Sequence, residues 1–187
     1  MHLTPTERWR DDAIELFVLT PDAVSDAYVG WLNDPEINQY LESRFVVQDR
    51  ASVEGFVAGV LASERDVFFG IRDLRLDRHV GNIKLGPIDR RHGLGEIGLM
   101  IGDRAAWGRG VGSRAIDIVS TIAAHELGLR KVTAGCYASN GGSKRAFEKV
   151  GFAVEAVRPA HFLFDGMPED LVLLGRQLGD DGVQCDA

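Results

Sequence analysis

Ten residues, A-A-W-G-R-G-V-G-S-R from Ala105 to Arg114, constrain this chain more than any other stretch. Glycines at 108, 110 and 112 let the backbone turn tightly and approach a ligand closely, because no Cβ stands in the way. The run that follows predicts a helix. Its apolar residues Val111, Ala115, Ile118, Val119, Ile122 and Leu127 recur at spacings of three and four, while Arg114, Asp117, Thr121 and His125 fall on other faces. The first N–H groups of a helix lack an internal partner and sit at the positive end of its dipole. A glycine-rich turn that opens a helix therefore suits a phosphate or pyrophosphate, and a phosphate-bearing cofactor is the first expectation.

A chain of 187 residues suits one domain and is long enough to bury a core without metal or disulfide staples. That domain is expected over 1–178, with 179–187, G-D-D-G-V-Q-C-D-A, as a loose acidic tail. A net charge of −7 argues against nucleic acid, whose phosphates would ask for a basic face. Cys136 and Cys185 lie far apart in sequence, so neither a disulfide framework nor a zinc site is indicated, and a reducing cytoplasm fits. The N-terminus, M-H-L-T-P-T-E-R-W-R-D-D, lacks the apolar centre of a secretory signal, and no window approaches a membrane span.

In chain order, Ile14 to Leu19 reads as a strand. Thr20 as N-cap with Pro21 after it starts a helix running to about Leu32. Pro35 opens a second, short helix toward Leu41, and Leu41 to Phe45 is a loop. Ser52 to Leu61 is a third helix, with Val53, Phe56, Val57 and Val60 at helical spacing. Val67 to Ile71, Val80 to Leu85 and Glu96 to Ile101 suggest an antiparallel meander. After the glycine turn and its helix come a strand at Lys131 to Tyr137 and a helix at Gly142 to Val150. Strands at Phe152 to Val157 and Leu171 to Leu174 close the series. This order predicts an α+β fold: a twisted, mixed, mostly antiparallel sheet of about six or seven strands, flanked by helices.

Among phosphate-binding modules, a Walker loop would need a lysine after Gly112, where Ser113 stands. A dinucleotide fingerprint would need a βαβ setting that the surrounding strands do not offer. Three segments in order resemble the GNAT acetyltransferase family: E-I-G-L-M-I-G-D at Glu96 to Asp103, W-G-R-G-V-G-S-R at Trp107 to Arg114, and N-G-G-S-K-R-A-F-E-K-V-G-F at Asn140 to Phe152. The family's Gln/Arg-x-x-Gly-x-Gly/Ala motif falls on Trp107 to Gly112, with Trp107 in the place of Gln or Arg. The W-G-R-G form is similar to the branch of ribosomal-protein N-terminal alanine acetyltransferases and related small-molecule enzymes. The likeness runs from about Ile14 to Gln177.

The resemblance implies a set of roles. Acetyl-CoA would be the cosubstrate, with no metal. The loop Trp107, Gly108, Arg109, Gly110, Val111, Gly112, Ser113 and Arg114 would bind it, the backbone amides of Arg109 to Ser113 holding the pyrophosphate and Arg109 or Arg114 adding charge. The pantetheine arm would lie beside Leu99, Met100 and Ile101 like an added strand, and a bulge or splay there would aim an N–H at the thioester oxygen. Asn140 would touch the arm. Glu96 is the candidate base, sharing a strand face with Gly98 and Met100, though a strand-end glutamate also serves as a solvated charge or ion-pair partner. His92 is a candidate relay or acceptor contact. The family's acid tyrosine falls on Phe147, which cannot donate a proton, leaving Ser143 as candidate donor or as a plain helix-start hydroxyl.

The acceptor wall is expected from Trp31 to Phe45, with Tyr40, Glu42 and Arg44 as its selecting side chains. The leading expectation is direct acetyl transfer to the primary amine of a small molecule, an amino sugar or aminoglycoside-like compound. Acetylation of a protein N-terminus is the runner-up, and a non-catalytic acyl-CoA sensor is the reading from another class. Homodimers are frequent in the resembled family.

Overall fold

The computed structural model describes residues 3–179, so all but the first residue of the expected acidic tail lies outside the described residues. Its eight strands are β1 (Arg8–Arg10), β2 (Ile14–Val18), β3 (Val67–Asp73), β4 (Arg78–Leu85), β5 (Leu94–Ile101), β6 (Lys131–Tyr137), β7 (Ala153–Phe164) and β8 (Met167–Gln177). Five helices, α1 (Asp26–Asn33), α2 (Pro35–Asn38), α3 (Arg50–Leu61), α4 (Val111–His125) and α5 (Gly141–Glu148), join them. One sheet runs β1-β2-β3-β4-β5-β6-β8-β7. Every neighbouring pair is antiparallel except β5 and β6, which the α4 crossover makes parallel. The expected α+β architecture stands, with one or two more strands than the sequence indicated.

Alternation along the strands divides the molecule into two layers of core. Ile14, Leu16, Phe69, Ile71, Ile83, Leu85, Ile97 and Val132 point to one face and pack with Val111, Ala115, Val119 and Ile122 of α4. Each fully buried Val, Leu, Ile or Phe side chain among them contributes about 1.5–3 kcal/mol relative to exposure. On the opposite face Tyr28, Trp31, Val53 and Val57 of α1 and α3 gather with Phe17, Phe68 and Met100 over the β2 to β5 side. Trp31 stacks where a Cβ on Gly102 would stand, so this glycine lets α1 seat against the end of β5. That second layer stops short of β6. Glu96, Gly98 and Gly135 are exposed there, and the sheet face is bare.

Several elements differ from the sequence reading. The helix expected from Thr20 is a 3-10 turn at Pro21–Ala23 followed by α1. Thr20 makes no side-chain cap, whereas Ser25 Oγ accepts the Tyr28 N–H at 3.2 Å and sets the true start. α2 ends at Asn38, and Glu42–Phe45 is a 3-10 turn rather than open loop. β1, with Trp9 between two arginines, carries no strand pattern strong enough to stand out. The last two strands form a hairpin far longer than expected, closed by Asp165 and Gly166 with φ of 49° and 76°. Asp-Gly with both residues at positive φ is the two-residue turn that matches strand twist.

Candidate active site

β5 and β6 pair over only three residues, Leu94 with Lys131, Gly95 with Val132 and Glu96 with Thr133. Beyond that point β5 continues to Ile101 and β6 to Tyr137 without pairing, so the sheet opens between them. Glu96 O accepts from Gly86 N and Gly102 N donates to Val80 O, which turns the main-chain groups of even-numbered β5 residues toward β4. Those of odd-numbered residues therefore point away from β4, Ile97 closing the last pairing with β6 and Leu99 and Ile101 facing the opening. Ile101 O is taken by the Trp107 indole N–H at 2.7 Å. Leu99 and Ile101 bury their side chains toward α4, while Met100 packs in the opposite cluster and directs its main chain at β4. Within Leu99, Met100 and Ile101, what the opening receives is backbone, chiefly that of Leu99. The register between β4 and β5 is unbroken, so the expected distortion is a splay and not a bulge.

The glycine loop stands at the mouth of this opening. Asp103 caps a 3-10 turn at Arg104–Ala106 by accepting the Ala105 N–H at 2.9 Å. Gly108 and Gly110 then take φ of 69° and 79°, and Gly110 becomes the N-cap of α4 with no side chain to satisfy the helix's first N–H groups. Those of Val111, Gly112 and Ser113 are thus the free donors a pyrophosphate would engage. A Cβ on Gly112 would come within 3.3 Å of Leu99 Cδ1, so this glycine also sets how closely α4 approaches β5. The loop fits the cofactor expected for it, through backbone amides.

The two arginines of the loop are engaged elsewhere. Arg109 donates to Asp73 Oδ2 at 2.6 Å, and Asp73, 1% exposed, also accepts from the Arg75 and Leu76 N–H groups. Burial pushes the Asp73 carboxyl up, but the Leu76, Arg109 and Arg75 donors outweigh it and hold the group below its ordinary value. Arg114 pairs with Asp11 and Asp12. These pairs fasten the loop and the start of α4 to β3 and to the segment between β1 and β2.

Glu96 sits at the apex of the opening, exposed, and forms no ion pair among the described residues. Its face of the sheet continues over Gly98, above which a Cβ would meet nothing within 4 Å. His92 lies in the turn before β5, at the closed end, where its N–H donates to Asp89 and its carbonyl accepts from Arg130. It is not brought together with the acceptor wall. Asn140 caps α5, its Oδ1 accepting the Ser143 N–H at 3.0 Å, so both residues stand just past the end of β6 at the mouth. Phe147 is 1% exposed and packs edge-on to Phe152 at 4.9 Å.

Tyr40, Glu42 and Arg44 do come together, around a residue the sequence reading passed over. Tyr137, the last residue of β6, donates its hydroxyl to Glu42 Oε1 at 2.6 Å and accepts from Arg44 at 3.0 Å. Its ring stacks on Phe162 at 4.2 Å, and Tyr40 stacks on Phe164 at 5.2 Å. Arg44 also donates to Leu41 O and Leu163 O, so it ties the 3-10 turn to the β7–β8 hairpin. Burial and the bond to Glu42 push the Tyr137 hydroxyl above its ordinary value, and that bond holds the Glu42 carboxylate in place. No sequence signal marked it, because its partners Glu42 and Arg44 lie more than ninety residues away.

A cleft with backbone donors at its mouth, a free carboxylate at its apex and a polar, aromatic wall on one side can hold an acyl thioester and an amine together. Comparison with known proteins identifies the family. The Bacillus subtilis protein named probable N-acetyltransferase YjcK is 33% identical over 122 residues, 65% of this chain and 67% of that relative. The solved spermidine N-acetyltransferase from Vibrio cholerae in complex with CoA and spermine superposes with a TM-score of 0.79 at 18% identity, covering 90% of this chain and 97% of that one. The Microcin C7 self immunity acetyltransferase MccE, in complex with acetyl-CoA and AMP, gives 0.77 at 17% identity, covering 89% and 93%. No helix among the described residues is long and apolar enough to cross a membrane. The profile described as Acetyltransferase (GNAT) domain matches residues 14–153, and the chain belongs to the GNAT acetyltransferase family, an acyltransferase.

Proposed function

We propose that this protein transfers the acetyl group of acetyl-CoA directly to the primary amine of a small molecule, with an amino sugar or aminoglycoside-like compound as the acceptor class. The observation that carries this reading is the unpaired Glu96 carboxylate at the apex of the β5–β6 opening, beneath a bare sheet face. An alkyl amine has a pKa of about 10, so only about one molecule in a thousand is neutral near pH 7. Glu96 accepts the proton that the amine nitrogen sheds as it bonds to the acetyl carbon. The Leu99 N–H, directed into the opening, steadies the oxygen that gains charge. The C–S bond breaks with its electron pair on sulfur. A thiol pKa of about 8.5 lets water or Ser143 return the proton without a dedicated acid, consistent with Phe147 in the core.

Loop amides from Gly110 to Ser113 and the Asn140 side chain hold the cofactor's phosphate and arm. Glu42, kept in place by Tyr137 and Arg44, offers the acceptor one carboxylate among aromatic faces, a mixture suited to a hydroxylated amine. Protein N-termini form the second reading, supported by the exposed Phe45, Val46 and Val47 beside the wall, where a peptide could lie.

Thiol release from acetyl-CoA, followed across amino sugars, aminoglycosides, polyamines and N-terminal peptides with Glu96→Gln alongside, tests this. Turnover on the sugar amines, lowered in the variant, supports the proposal. Turnover on peptides alone moves the acceptor to the second reading, and acetyl-CoA binding with no turnover on any amine favours a sensor.

A further inference from the structure

The glycine loop has a charge problem that its own arginines do not solve. Arg109 is bound to buried Asp73 and Arg114 to Asp11 and Asp12, so neither guanidinium is free for a phosphate. A different helix supplies the missing cation. A Cβ placed on Gly110 would lie 3.9 Å from Lys149 Nζ, with no other atom within 4 Å. Lys149 is the C-cap residue just after α5, and its ammonium forms no salt bridge among the described residues.

Packing fixes this placement. Ala146 lies three residues before Lys149 on the same face of α5, and its Cβ is 3.9 Å from where a Gly112 Cβ would stand. One turn of α5 therefore meets the small residue Gly112, and the next delivers an ammonium to Gly110. Phe147, buried against Phe152 in the same core cluster, anchors the helix there.

We infer that Lys149 is a cofactor-binding residue, its ammonium pairing with the pyrophosphate held on the amides of Gly110 to Ser113. This rests on the acetyl-CoA reading above. It divides the work at the loop: Arg109 and Arg114 fasten it, the amides orient the phosphates, and Lys149 supplies the mobile positive charge.

Calorimetric titration of wild type, Lys149→Met and Lys149→Arg with CoA, with dephospho-CoA and with pantetheine tests it. The expected result is about tenfold weaker binding of both CoA and dephospho-CoA to Lys149→Met. Pantetheine binding stays unchanged, Lys149→Arg recovers most of the loss, and the salt dependence of CoA binding flattens in Lys149→Met. Equal CoA affinity in wild type and Lys149→Met overturns the inference while leaving the acetyl-CoA reading intact. A loss confined to CoA, absent with dephospho-CoA, also overturns it by moving Lys149 to the 3′-phosphate. Failure of wild type to bind CoA at all overturns both.

Discussion

The glycine loop and the acceptor wall flank one opening, yet they are built in opposite ways. The loop is a continuous piece of chain, Trp107 to Ser113, and offers main-chain N–H groups whose positions follow from φ at Gly108 and Gly110. The wall is an assembly from three distant segments: Tyr40, Glu42 and Arg44, then Tyr137, then Phe162 and Phe164. A backbone site of the first kind tolerates drift in its side chains and binds one constant cofactor. A side-chain site of the second kind can be rebuilt by changing any of its segments, which suits the part that selects the acceptor.

Replacing Glu96 by Gln removes the proposed base at the apex of the opening and is expected to lower turnover by about a hundredfold to ten-thousandfold. Cofactor affinity measured by calorimetry should stay within about twofold, since no loop amide is touched. A parallel collapse of affinity would show that the two halves are not separable. The next largest effect is on stability. Asp73→Asn loosens Arg109 and should destabilise the fold by about 1–3 kcal/mol in denaturant unfolding at neutral pH. Asp73's folded pKa is depressed, so its contribution is full above the ordinary value of 3.8 and disappears as pH falls through the folded value. The difference between wild type and Asp73→Asn should therefore narrow in acid. A gap that stays constant down to that range contradicts the pairing.

These contrasts explain what the sequence could and could not convey. The glycine spacing and the apolar period of α4 are local, and the structure contains the turn and the helix where they place them. Tyr137 could not be read, because its role comes from meeting Glu42 and Arg44 across more than ninety residues, with separations of 95 and 93. The arginine partners Asp73, Asp11 and Asp12 are distant for the same reason. The helix start was misplaced because the expected cap, Thr20, makes no side-chain bond, whereas Ser25 accepts the Tyr28 N–H and begins a helix whose Tyr28 and Trp31 are buried in the second cluster.

Two smaller effects sharpen the comparison. Ser25→Ala should destabilise by about 1 kcal/mol, while Thr20→Ala changes stability by less than about half of that, both read from urea midpoints. Tyr137→Phe removes one hydroxyl from the wall. It should raise the acceptor KM by about threefold with the acetyl-CoA KM unchanged, because Glu42 loses a donor outside the loop. An effect on the acetyl-CoA KM instead would place Tyr137 on the cofactor side.

Initial rates measured over a matrix of acetyl-CoA and acceptor concentrations test most directly whether the two substrates meet in the β5–β6 opening. Direct transfer with Glu96 as base predicts intersecting double-reciprocal lines, with both substrates bound before thiol is released. Parallel lines, or thiol release matched to acetyl groups retained on the protein, would contradict it.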